Sequence, residues 1–159
     1  MEIRHRESGE VLWRGEAATL RNVMLEGVDL AGADLAGQDL FAARLRGARL
    51  AGATLEGAEV SGADFTGADL SGADLRGVRA TDVPTEFQGA SLRGADLRGA
   101  VFQYCLFQGA DFTRARLAGV TMVNVNLTGA NLTGVDPAEL PYSAESLREI
   151  GVRGIETEA

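Results

Sequence analysis

Large apolar residues recur in this chain at every fifth position. One run comprises Leu20, Leu25, Leu30, Leu35, Leu40, Leu45, Leu50, Leu55, Val60, Phe65, Leu70 and Leu75 and closes on the small Ala80. A second comprises Phe87, Leu92, Leu97, Phe102, Phe107, Phe112, Leu117, Met122, Leu127 and Leu132. Two residues before these 23 centres stands Ala in 15 units and Val in five, with Gln38, Thr85 and Cys105 as exceptions; two residues after stands Gly in 17. A period of five is neither the 3.6 of a helix nor the 2 of a strand, so a regular helix or a flat strand would scatter the centres over all sides. To keep them together the chain must turn a corner in every unit. A narrow interior with room for one large and one small side chain per face explains why Leu or Phe alternates with Ala, while Gly frees the backbone for the corner.

The segment 63–77 reads ADFTG ADLSG ADLRG, and the pattern A-(D/N)-L-x-x holds almost unit by unit from Val28 to Gly134. On this motif the chain resembles the pentapeptide-repeat proteins. The resemblance implies an all-β fold, a right-handed quadrilateral β-helix in which four units make one coil. The centres, among them Leu35, Leu55, Leu75, Leu97, Phe102, Phe107 and Phe112, then form the structural core. Twenty-three units make almost six coils and, at ~4.8 Å between adjacent strands, a rod about 28 Å long.

Outside the repeat the pattern predicts three departures. Residues 1–17 hold Ser8-Gly9 between two short segments that pair as a hairpin and cap the first coil, with the single Trp13 covering the open end of the core. The segment Glu16–Glu26 alternatively forms a short helix before the coils of residues 18–135 begin. Between Ala80 and Phe87 the spacing is seven, so a register break at 81–86 pushes Asp82, Val83 and Pro84 out as a loop, either a tolerated bulge or a contact loop. In residues 136–159, Asp136-Pro137 opens a helical turn and Ser143 caps a helix from Ala144 to Ile150 that stops at Gly151. That segment is expected to cover the last coil, and the resemblance implies that it can also join two copies as a homodimer.

Charge narrows the function. The net charge is −8, with half of the excess in residues 136–159 and not one Lys among 15 basic residues. A phosphate-binding surface should be basic, so direct nucleic-acid binding is not expected. No run of ~18 apolar residues is present, which argues against a membrane span, and one lone cysteine, Cys105, suits a reducing, cytoplasmic setting and a buried free thiol. The only histidine is His5, in the irregular N-terminal segment, and without Lys there is no Walker A motif. No catalytic residues, cofactor or metal are called for.

What remains is a rigid binding surface. Positions one coil apart stack, so the outward rows run Asp34, Thr54, Asp74, Asp96, Arg116; Asp39, Glu59, Arg79; and Asp29, Arg49, Asp69, Ser91, Asp111, Asn131. Arg44, Arg46 and Arg49 form a basic spot balanced by Asp29, Asp64 and Asp69. Phe41 is the only Phe outside a centre, and Val101, Tyr104, Leu106 and Val123 make an outward apolar group. The C-terminal segment or a second subunit is expected to cover Val101, Tyr104 and Leu106. Candidate partner-surface residues are therefore Asp34, Asp39, Glu59, Asp74, Asp96, Phe41, Tyr104 and Leu106. The resemblance adds an alternative, since similar proteins mimic duplex DNA, bind DNA gyrase or topoisomerase IV and protect against topoisomerase poisons.

Overall fold

The computed structural model describes residues 1–155, so the tail residues 156–159 assigned above to the C-terminal segment lie outside the described residues. Each unit makes one short side of a coil and one corner. In the unit centred on Leu70, Ala68 and Leu70 point inward, and Asp69 stands on the outside between Arg49 and Ser91 of the neighbouring coils. Asp69 N–H donates to the Ala48 carbonyl below at 3.0 Å and Leu70 N–H to the Ser91 carbonyl above at 2.8 Å. The corner is closed by the Ala73 N–H donating to the Leu70 carbonyl at 3.0 Å, with Ser71 and Gly72 as its central residues. Gly72 has φ +64°, and a positive φ at the third residue is what a type II turn requires. The Asp69 carboxylate accepts the Ser71 N–H at 3.0 Å, so the acid before the centre holds its own corner.

The rungs repeat at 20 residues, as in Asp34–Thr54–Asp74, which makes four units per coil. Across the 81–86 break the offset is 22, as in Asp64–Glu86 and Asp74–Asp96, and it returns to 20 at Glu86–Leu106. The three outward rows read from the sequence are thus rows of bridged neighbours. Most sides are so short that they contribute a single bridge. Among the described residues one face of the coil runs as regular strand, a parallel sheet in the order β3–β4–β5, where β3 is Arg79–Ala80, β4 Val101–Gln103 and β5 Thr121–Val123. Ahead of them β1 (Glu2–Arg4) and β2 (Val11–Arg14) pair antiparallel around a turn that includes Gly9 at φ +71°. The hairpin lies against the first coil, where Asp34 N–H donates to the Arg4 carbonyl at 2.8 Å and His5 bridges Ala33. Trp13 is half-buried opposite Ile3. No helix forms over Glu16–Glu26; Leu20 and Leu25 are buried centres, because stacking on the second coil satisfies Leu25 N–H at the Arg44 carbonyl.

The interior is a set of columns. Leu35, Leu55, Leu75 and Leu97 are 0–1 % exposed, as are Phe102, Phe107 and Phe112. Aromatic rings concentrate in the C-terminal half. Phe65 and Phe87 stack at 4.9 Å, Phe87 and Phe107 at 4.8 Å, and Phe102 meets both Phe87 and Phe107 edge-on. Ala80, the one small centre, lies in the coil that also holds Phe65, so large and small residues balance within that layer. Five corners lack glycine, and there Asn22, Ala42, Tyr104, Arg114 and Asn124 carry φ of 52–58°. For Ala, Tyr and Arg this conformation costs roughly 1–2 kcal/mol, which the stacked neighbours outweigh.

The 81–86 segment is held down despite its exposure. Gly57 N–H meets a carbonyl of the next coil, but the insertion removes the equivalent partner of Gly62, and the hydroxyl of buried Thr85 accepts Gly62 N–H at 3.1 Å instead. The same hydroxyl donates to the Val60 carbonyl at 3.1 Å, and buried Ser61 accepts the Thr81 and Asp82 N–H groups. Replacing Thr85 by Val keeps the shape and strands the Gly62 N–H, while the Val60 carbonyl keeps the Ala63 N–H at 3.0 Å, so Thr85→Val is expected to cost about 1–3 kcal/mol. Urea unfolding measures it, and an unchanged midpoint would mean that the hydroxyl does not replace the broken rung.

After the last repeat, Asp136 caps a short turn at Pro137–Glu139 and Ser143 caps α1, Ala144–Glu149, with Ile150 as the C-terminal cap and Gly151 at φ +76°. Leu147 and Val152 are buried against the last coil.

Candidate functional site

The candidate surface is the set of outward rows, and its charges largely answer one another. Asp39 meets Arg21 at 2.6 Å, Asp74 meets Arg76 at 2.7 Å, and Asp96 meets Arg98 at 2.7 Å and Arg116 at 3.7 Å. The guanidinium hydrogen bond is the main cause that lowers each of these three carboxyls below its ordinary value. Asp34 accepts the N–H of Ala36, and Glu59 that of Ser61, so both are held as turn acceptors. The rows thus read as solvated, cross-neutralised faces, in which exposed pairs contribute little each. In the basic spot, Arg49 pairs with Asp29 as expected, but Arg44 turns to Glu26 at 3.0 Å and not to Asp64. Glu26 is the corner residue of the coil below, nearer the guanidinium than the rung neighbour.

Two expectations about apolar residues need correction. Phe41 is not an open contact: it is half-buried, with the Arg21 guanidinium stacked 4.5 Å above its ring. Nor does the C-terminal segment cover Tyr104, which is 49 % exposed, because that segment packs on the final coil one rung further on. Val101 and Leu106 are half-buried within their rows, flanked by Arg79 and Thr121 and by Glu86 and Asn126. In the loop, Asp82, Val83 and Pro84 are exposed, and the Val83 side chain lies over Gly62.

The buried Cys105 occupies the inward position that Ala holds in other units, and burial pushes its thiol up to about 12, which keeps it protonated and unreactive. Among the described residues no three His, Cys, Asp or Glu side chains are placed to hold a metal ion, and no helix is long and apolar enough to cross a membrane.

One feature was not legible in the repeat. A groove of about 320 Å³ opens between the final coil and α1, lined by Asn124, Val125, Leu127, Tyr142, Ser146, Leu147 and Ile150. The Tyr142 hydroxyl donates to the Met122 carbonyl at 3.0 Å at its edge. The only hint of it in the sequence was the group of apolar residues Leu140, Tyr142, Leu147 and Ile150 after the last repeat.

The family model for pentapeptide repeats matches residues 43–79, 85–119 and 95–134. Among solved structures, the chain is similar to HetL, a pentapeptide repeat protein involved in heterocyst differentiation regulation in Nostoc sp. strain PCC 7120. Identity there is 24 %, over 84 % of this chain and 69 % of that one, with a TM-score of 0.41. A pentapeptide repeat protein of the Arabidopsis thaliana thylakoid lumen is 30 % identical over 82 % of this chain and 78 % of that one, with a TM-score of 0.38. Trypsin-treated QnrB1, a plasmid-mediated fluoroquinolone resistance protein, is 18 % identical over 82 % and 77 %, with a TM-score of 0.41. No curated protein matches the chain. With stacked five-residue units, an Asp or Asn acceptor at ten of the corners and a family model covering more than half of its length, the chain belongs to the pentapeptide-repeat family.

Proposed function

We propose that this chain is a right-handed β-helix, closed at one end by its hairpin and at the other by its C-terminal segment, that acts as a non-enzymatic rigid scaffold for a protein partner. In this reading residues 18–135 are the scaffold, and residues 1–17 and 136–159 are its ends. The observation that carries it is the filled interior: from Leu20 to Leu132 every centre is at most 7 % exposed, so the coil has no room for a substrate and what it offers is its outside. Its rungs stack in register and several of its outward charges are paired, which suits presentation of a fixed surface more than chemistry.

The alternative within the family is a DNA mimic that binds DNA gyrase or topoisomerase IV. A mimic needs uncompensated rows of negative charge, and here Arg21, Arg76, Arg98 and Arg116 neutralise the acids best placed to supply them. The expected result is therefore that micromolar protein neither inhibits gyrase supercoiling nor protects it from ciprofloxacin. Inhibition or protection would replace the general scaffold with the gyrase-binding reading.

A further inference from the structure

The C-terminal end of the coil is treated unequally on its four sides. On three of them the segment after the repeat reaches back to the exposed rung. Leu117 N–H donates to the Glu139 carboxylate at 2.7 Å, and Gly129 N–H to the Ile150 carbonyl at 3.4 Å. Leu132 N–H and the Ala130 carbonyl both pair with the backbone of Arg153 at 2.8 Å. The fourth side is β5, the outer strand of the three-stranded parallel sheet. One coil earlier, the equivalent groups of that face are paired, the Ala100 carbonyl with Thr121 N–H and Tyr104 N–H with the Val123 carbonyl, each at 2.9 Å. On β5 itself the Val120 carbonyl, Met122 N–H and Asn124 N–H meet no partner among the described residues, and the Met122 carbonyl holds only the Tyr142 hydroxyl.

This open strand edge is chemically distinct. Thr121, Val123 and Asn124 are exposed, Val123 by 43 %, and the groove beside them has no charged side chain in its lining, with Ile150 42 % exposed at its mouth. Around it the C-terminal segment carries Asp136, Glu139, Glu145 and Glu149 against Arg148 and Arg153. An uncharged floor with an acidic surround fits an apolar segment flanked by basic residues. Two free donors and a free acceptor along one strand select an extended backbone, because a helix has spent its own groups internally. A second copy of this chain would bring the same acidic segment and no Lys, so like charges oppose it.

We propose that the β5 edge and the adjoining groove bind an extended, apolar segment of a partner protein, flanked by Lys or Arg, by strand addition. The assignment rests on the scaffold reading and names its surface. The probe is a fluorescein-labelled synthetic peptide alternating Val and Thr between terminal lysines, titrated against the full chain by fluorescence polarisation and followed by hydrogen exchange. The expected result is saturable binding, with exchange at the Met122 and Asn124 amides slowed by about tenfold or more. Val123→Glu and Ile150→Glu each weaken binding by about tenfold or more without moving the unfolding midpoint, since both side chains are surface-exposed. The same peptide N-methylated on alternate residues keeps its side chains, cannot pair, and loses binding. No saturable binding up to about 1 mM peptide overturns the proposal, as does equal binding of the N-methylated analogue. A molecular mass that doubles with protein concentration and reverts in Val123→Glu also overturns it, assigning the edge to a second copy. A partner protein that binds Val123→Glu as tightly as the wild type removes the edge assignment and leaves the scaffold reading standing.

Discussion

Phe87→Ala is expected to destabilise the protein by about 3–5 kcal/mol, the range for removing a fully buried aromatic side chain. Phe87 is 1 % exposed and lies between Phe65 below and Phe107 above, stacked on both at under 5 Å, with Phe102 edge-on at 5.9 Å. Its removal opens a void that borders the coils above and below. The same column holds Leu25, Leu45 and Leu127 elsewhere, so the architecture accepts Leu at such a site, and Phe87→Leu should cost far less. In a solenoid each coil leans only on its neighbours, so a void in the middle uncouples the two halves. Guanidinium unfolding is therefore expected to shift to lower midpoint and to broaden or split, while a terminal substitution would leave it sharp. A loss below about 1 kcal/mol would mean that the aromatic column does not hold the middle of the rod together.

The second large effect concerns the end of the chain. Ending the protein at Val135 removes the burial of Leu147 and Val152, worth about 1.5–3 kcal/mol each, and takes the partners from Leu117 N–H, Gly129 N–H, Leu132 N–H and the Ala130 carbonyl. The truncated chain is expected to lose roughly 3–6 kcal/mol. With all four sides of the last rung open, it should also associate end to end, because an unprotected strand edge is a template for another. Light scattering across a concentration series checks this: the full chain should keep one mass, and the truncated chain should grow heavier with concentration. Equal, constant masses would show that the segment does not protect the edge.

The repeat makes the interior readable from the sequence. Leu35, Leu55 and Leu75 line up because the units repeat one local rule: an inward pair followed by a corner, which a left-handed Gly turns in most units and an Asp or Asn acceptor holds in ten. The stacking of the outward rows follows from it by counting, including the step of 22 across the inserted pair at 81–86. The caps of α1 were legible for the same reason, since Ser143 and Gly151 act within a few residues of themselves.

What only the tertiary structure decided depends on which of several nearby groups a flexible side chain or a non-repeating segment selects. Arg44 chose Glu26 over Asp64, Arg21 folded over Phe41, and the segment from Asp136 to Gly154 sat on three edges of the last coil and left Tyr104 and β5 open. A period constrains positions through many identical neighbours. A segment that occurs once has no such neighbours, and its place is set by packing against the finished end of the rod.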